Sequence, residues 1–208
     1  MQKTLLFMES LPVAATRQML EHLDSLFPLK PELIVELKQI IQYEEVKRMQ
    51  VLLKPGEVSD RLYYIHKGLL HCYYEFEDRK KVKKEVSTWF MRERDTCVSV
   101  PSFYRRRPSY EYIQTLEDSE LFSIGYQELE SIYSRHIDFN FNARVLTSDY
   151  LVDWAEQLHG LRRLTAAEKY AALRDRDPQL LQRVPQKYLA SFLGMRIETL
   201  SRFARKAN

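Results

Sequence analysis

Residues 186–203 read QKYLASFLGMRIETLSRF. Apolar side chains recur at helical spacing on both sides of Gly194, so the spacing predicts two short helices joined by a tight turn. Such a pair must bury its inner faces, and Leu189, Leu193, Met195, Leu200 and Phe203 supply them. Where the helices cross, one position must be small, and Ala190 fills it. The turn needs a left-handed backbone residue, which Gly194 provides without a steric penalty. A small residue, a Gly four further on, an apolar residue six beyond that and another after three more make the helix-turn-helix arrangement.

Charge sets this segment apart. Residues 161–208 hold eleven Lys/Arg against four Asp/Glu, a net +7, so residues 1–160 carry −4 of the chain's formal +3. A basic C-terminal quarter fits a polyanion partner. Basic residues also solvate helix faces in many proteins, and charge describes non-specific attraction rather than fold. If the second helix enters a major groove, its outer face offers Arg196, Ile197, Glu198, Thr199 and Arg202. Arg202 suits a bidentate pair to guanine, and Glu198 can accept from cytosine. Thr199, Gln186, Lys187, Arg205 and Lys206 suit phosphate contacts. Glu198 can equally bridge to Arg202 at i,i+4 and only position it.

Upstream the texture differs. Residues 16–27 and 31–43 read as helices, the second opened by Pro31. From about residue 46, short runs rich in Val, Tyr, Phe and Trp alternate with turn signals at Pro55-Gly56, Gly68 and Glu117-Asp118-Ser119. Strands at this even spacing predict a small antiparallel barrel or jelly roll. After Gly125 the chain reads as helix again: residues 126–136, then a long helix over roughly 137–162. Within it Thr147, Leu151, Trp154, Leu158 and Leu161 step by 4, 3, 4, 3, the spacing of a dimer seam. An amphipathic helix packed on its own domain would give a similar stripe. Thr165 and Glu168 form a capping box, Asp177-Pro178 ends that helix, and Pro185 opens the next. The fold class is therefore α+β. The expected division is a sensor barrel with N-terminal helices over 1–136, the long helix over 137–162, and a helix-turn-helix domain over 163–208.

Several classes fall away. No apolar run nears the roughly 20 residues that span a bilayer, and the first twenty residues do not read as an export signal. Cys72 and Cys97, the two cysteines, are then expected as reduced thiols in a cytoplasm. His66 and His71 flank Gly68 without a further ligand in evident reach, so no metal or cofactor is expected. H-E-x-x-H, Gly-x-Ser-x-Gly and phosphate-loop motifs are absent, and no enzyme is expected.

The order of barrel, long helix and C-terminal helix-turn-helix resembles the Crp/Fnr family of bacterial transcription regulators. VPQKYLASFLGMRIETLSRFARK (184–206) is most similar to the DNA-binding end of the Bacteroidetes members. LYYIHKGLLHCYYEF (62–76) and LEDSELFSI (116–124) resemble their barrel, and the likeness covers roughly residues 25–206. It implies a homodimer on double-stranded DNA, a small-molecule effector, RNA polymerase as a further partner, and no membrane. It casts Glu198 and Arg202 as base readers. Ile197 stands where the best-known member has Arg, which implies a different operator. Cyclic-nucleotide binders hold the ribose and cyclic phosphate with a Gly-Glu pair and an Arg. Here the matching run, 89–113, has no Gly-Glu pair around Thr96–Val100 and no Arg near Ser109. The resemblance therefore places an effector pocket at Trp89, Cys97, Val98, Ser99, Ser109, Tyr110 and Tyr112, and the effector is expected not to be cyclic AMP. Two alternatives stay open: a cyclic-nucleotide-responsive regulator with a non-standard phosphate site, for which Arg105, Arg106 and Arg107 could supply the charge, or a protein-interaction module with a degenerate sensor barrel whose helix-turn-helix only packs.

Overall fold

The computed structural model describes residues 11–207. Two helices come first, α1 (Val13–Leu26) and α2 (Pro31–Ile40), each running from a proline-marked start to an extended C-terminal residue. Eight strands follow: β1 (Gln42–Val46), β2 (Val51–Leu53), β3 (Arg61–Lys67), β4 (Leu70–Glu77), β5 (Lys83–Met91), β6 (Thr96–Cys97), β7 (Tyr112–Thr115) and β8 (Ser119–Gly125). They pair antiparallel into two four-stranded sheets, ordered β1-β8-β3-β6 and β2-β7-β4-β5. The result is a two-sheet roll, not a closed barrel.

Alternation assigns the faces. In β3 and β8, Tyr63, Ile65 and Leu121 point between the sheets, while Leu62, Tyr64, Phe122 and Ile124 point to the N-terminal helices. In β4, Leu70 and Cys72 point inward and His71 and Tyr73 outward. Gly68 turns β3 into β4 at φ 111°, and a side chain there would collide with Ser119.

One short helix, α3 (Val100–Arg105), carries the first of the three consecutive arginines at its C-terminal end. Arg106 closes it in the left-handed region, at φ 49°. The remaining helices are α4 (Tyr126–Arg135), α5 (Phe139–Arg163), α6 (Ala166–Arg176), α7 (Pro178–Arg183), α8 (Gln186–Phe192) and α9 (Ile197–Ala207). The Thr165–Glu168 capping box is formed in full at the start of α6.

Four layers result. The N-terminal helices cover the first sheet, the first sheet faces the second, and α8 covers the outer face of the second. Tyr188 and Phe192 of α8 meet His71 and Phe90 there, with ring centroids 4.5 and 5.2 Å apart. The Ser191 hydroxyl accepts the Ser87 amide at 3.0 Å and donates to the Glu85 carbonyl at 3.2 Å. Helix α5 packs against α1 and α4 and carries two stripes. Asn142, Leu146 and Tyr150, four apart, face the chain's own core; Leu151, Trp154, Leu158 and Leu161 are exposed.

Candidate functional site

Two places gather side chains with chemistry. The first lies between the sheets. Cys72 and Cys97 meet there as buried free thiols, their sulfurs 3.7 Å apart. Their mutual hydrogen bond, and then burial, push the Cys72 thiol up, which keeps it protonated and unreactive. Beside them is a polar knot. The Ser99 hydroxyl donates to Glu111 Oε1 at 2.7 Å and lies 3.0 Å from the Ser109 hydroxyl. Ser109 Oγ accepts the Glu111 amide at 3.0 Å, and the Thr88 hydroxyl lies 3.4 Å from Glu111 Oε2. Burial raises the Glu111 carboxyl; the bonds from Ser99 and Thr88 act against this. Tyr150 of α5 closes the mouth, its ring 5.4 Å from that of Trp89.

Of the pocket residues expected from sequence, Trp89, Cys97, Ser99 and Ser109 are brought to this interior. Three are not. Tyr110 is 55% exposed and meets Tyr74 edge-on. Tyr112 stacks on Tyr73 on the outer face of its sheet, 4.8 Å between centroids, because Ile113 takes the inward position of β7. Val98 packs against the helix-side core. Sequence reading missed Glu111, Thr88 and Tyr150. The signal for Tyr150 was present, since it continues the four-residue step from Asn142 and Leu146.

The three arginines do not turn inward. Arg105 and Arg107 are exposed. Arg106 pairs with Asp60, donates to the Ser59 carbonyl at 2.9 Å and lies 4.0 Å over the Tyr126 ring, on the helix side of the sheet. His71 is fully buried, shares a 2.8 Å hydrogen bond with Ser87, and is held neutral by burial, its pKa lowered to about 3. His66 stands apart, 3.9 Å from Glu120. Among the described residues, no group of three or more His, Cys, Asp or Glu is placed to hold a metal ion.

The second place is α8, its turn and α9. Gly194 has φ 63°, and the turn is closed by the Gly194 amide on the Ser191 carbonyl and the Met195 amide on the Ala190 carbonyl, at 3.0 and 2.9 Å. Leu189, Ala190, Leu193 and Leu200 are buried. Arg196, Ile197, Glu198, Arg202 and Arg205 are exposed along one side of α9, with Thr199 half-buried between them. Gln186 and Lys187 stand at the start of α8, exposed. The Lys187 ammonium lies 4.2 Å over the Tyr188 ring, and its pKa is raised by that contact first and by Glu85 among the further causes. The side chain of Lys206 lies outside the described ones. On α5, Leu151 is 59% and Trp154 51% exposed. Thr147 is exposed too, within hydrogen-bonding reach of Tyr104. Leu161 lies against the Gly194 turn, 3.4 Å from where a side chain would begin.

Two sheets in this order, with a pair of helices before them and a long helix after them, make a β-roll flanked by helices. Residues 43–136 match the family described as the cyclic nucleotide-binding domain, and the chain as a whole has the fold of Crp/Fnr transcription regulators. FixK2 from Bradyrhizobium japonicum superposes with a TM-score of 0.68 at 14% identity, over 80% of this chain and 84% of that one. The c-di-GMP responsive global regulator CLP of Xanthomonas campestris gives 0.66 at 16%, over 86% and 91%. A Eubacterium rectale protein assigned to the Crp/Fnr family gives 0.64 at 14%, over 88% and 87%. No curated protein sequence matches the chain. Among the described residues, no helix is long and apolar enough to cross a membrane.

Proposed function

We propose that this chain is a sequence-specific, DNA-binding transcription regulator without enzymatic activity, working as a cytoplasmic homodimer. The observation that carries the reading is the outer side of α9: Glu198, Arg202, Arg205 and Ile197 stand in solvent on a helix anchored by Leu200, with Arg196 exposed just before it, after a turn built for close helix approach. Two such helices, related by a dimer axis along α5, would read half-sites about 34 Å apart. The exposed stripe from Leu151 to Leu161 supports that axis, since large apolar side chains in a row on one helix favour a covered face.

The sensor is read as one that does not answer to cyclic AMP. A cyclic phosphate needs a positive or donating cradle, and leaving it unpaired in a pocket is costly. At the expected anchor positions stand Ser99 and Ser109, bonded to each other, with Ser99 donating to the Glu111 carboxylate and Ser109 bonded to the Glu111 main chain. That carboxylate repels an anion, and Arg106 is committed elsewhere. Residues 1–136, 137–162 and 163–208 serve as the working division into sensor, dimer helix and DNA-binding unit.

Fluorescence anisotropy on labelled duplex DNA tests the reading. Log K should fall linearly with log salt, with a slope set by several phosphate contacts. DNA binding that is absent, or indifferent to salt, would favour an interaction module whose C-terminal helices only pack.

A further inference from the structure

The core on the helix side of the roll contains a gap. A cavity of about 90 Å³ lies between α1, α2, α4, the first sheet and the first turns of α5. Leu23, Leu37, Phe122, Leu129 and Leu146 form much of its wall, and no charged side chain lines it. It is separate from the roll interior: Tyr64 and Phe122, which line it, point away from Cys97 and Glu111 across the same sheet.

Asn142 also lines the cavity and is 1% exposed. Its Nδ2 donates to the carbonyls of Leu23 and Phe27, at 2.6 and 2.9 Å. Those two bonds fix which way the amide points. The Oδ1 acceptor is left buried with no partner. Buried acceptors are rarely left unmet, and each one that is calls for an explanation. A resident water would need two to four polar partners. Of the hydroxyls lining the cavity, Tyr64 is engaged with His22 Nδ1 at 3.0 Å, Tyr104 with Thr147 and Ser123 with Arg61, while Thr96 and Tyr133 also border it.

We propose that this cavity binds a small, uncharged, largely apolar molecule with one hydrogen-bond donor, of the phenol or short-chain alcohol class, whose donor meets Asn142 Oδ1. Charged ligands have no counter-charge in the lining. Apolar walls contribute affinity by removing ligand surface from water, and the single acceptor sets orientation. The enclosed space is smaller than the roughly 150 Å³ that holds benzene, but it opens past the exposed Tyr104 and Thr147, so a short-chain alcohol fits within it and a phenol ring extends into that opening. The ligand would touch α5 at Asn142, Leu146 and Thr147, one to two turns before Leu151. The binding claim does not depend on α9 reading DNA.

Titration of the full chain, labelled at its Leu and Ile methyl groups, with phenol and with toluene tests this by NMR. Toluene has nearly the same shape and lacks the donor. Phenol is expected to shift the methyl signals of Leu23, Leu37 and Leu146 saturably, and toluene to bind at least about ten-fold more weakly, as an unmet acceptor requires. Ala143→Leu fills the cavity from α5 and should abolish the phenol shifts; Leu146→Phe does the same should the first variant fold poorly. Equal binding of phenol and toluene would overturn the role of Asn142. Phenol binding unchanged in the folded filled variant, or no saturable shift in the wild type, would overturn the site.

Discussion

Arg183 and Glu93 form a two-pronged ion pair, Nη1 to Oε2 and Nη2 to Oε1, each 2.8 Å. The same guanidinium reaches Glu117 Oε2 at 2.7 Å and the Gly68 carbonyl at 3.0 Å. One residue before Glu93, Arg92 donates to Asp177 at 3.0 Å, and Asp177 caps α7 by accepting the Leu180 amide. Two consecutive residues of the roll therefore hold the two ends of α7, which precedes α8 and α9. The turns of the roll at Gly68, Arg92–Glu93 and Glu117 anchor α7, the helix that leads into α8 and α9.

Arg183→Ala is expected to destabilise the chain by about 1–3 kcal/mol, less than a fully buried network would, because Glu93 is partly in water. Urea denaturation measures it. A double-mutant cycle with Glu93→Gln should give a coupling on the order of 1 kcal/mol. Additive effects would mean that the fork holds nothing.

The same pair gives a pH dependence. Burial alone would raise the Glu93 carboxyl, but Arg183 and the Gly68 amide overcome it and hold its pKa at about 2. A depressed carboxylate contributes stability above its unfolded value and loses it as pH falls toward the folded one. Docking of the C-terminal helices should therefore weaken from about pH 4.5 down to about pH 2. Hydrogen exchange of α8 amides against pH reports it, and Arg183→Ala should flatten the profile.

Glu111 has the opposite sign. Its folded pKa is raised by burial, so its contribution is complete below the unfolded value and is lost as pH rises through the folded one. Glu111→Gln keeps an acceptor for Ser99 and removes the charge. The variant should be more stable than the wild type at neutral pH, by a margin that shrinks in acid. Thermal melts at pH 5 and pH 8 decide this; a margin larger at pH 5 would contradict it.

Leu151→Lys with Leu158→Lys places two charges on the exposed stripe of α5. Both side chains are exposed in the single chain, so the fold should survive while the dimer dissociates. Sedimentation should show monomers. A dimer of unchanged affinity would put the subunit contact elsewhere.

Much of this architecture can be read from local chemistry. Gly194 at its spacing from Ala190 and Leu200 defines the α8–α9 turn, the Thr165–Glu168 box starts α6, and Pro31 starts α2. These signals act within a few residues, so a sequence carries them intact. The layering is different in kind. That α8 covers His71 and Phe90, or that Arg183 finds Glu93, depends on contacts 90 to 117 residues apart along the chain. Face assignment also failed locally: Tyr110 and Tyr112 look like pocket residues by type, yet the alternation of β7 turns Ile113 inward in their place. The expected anchor positions Ser99 and Ser109 were legible, but Glu111 was not, because its carboxylate is held inside by Ser99 and Thr88, 12 and 23 residues away along the chain.

Arg202→Ala should cost about 1–3 kcal/mol on a specific site and relax preference at one base pair. Arg205→Ala should weaken specific and random DNA alike and lower the salt slope by about one. Equal losses from both variants on both DNAs would undo the division between reading and positioning side chains.

The central claim is that two copies of α9 read DNA as a symmetric pair. Selection of binding sites from a random duplex pool by the purified full chain tests it most directly. The expected result is an enriched two-fold symmetric motif with half-site centres about 10 base pairs apart, and its loss in the Leu151→Lys, Leu158→Lys variant. No enrichment over the starting pool, or a single asymmetric motif bound equally well by that variant, would contradict it.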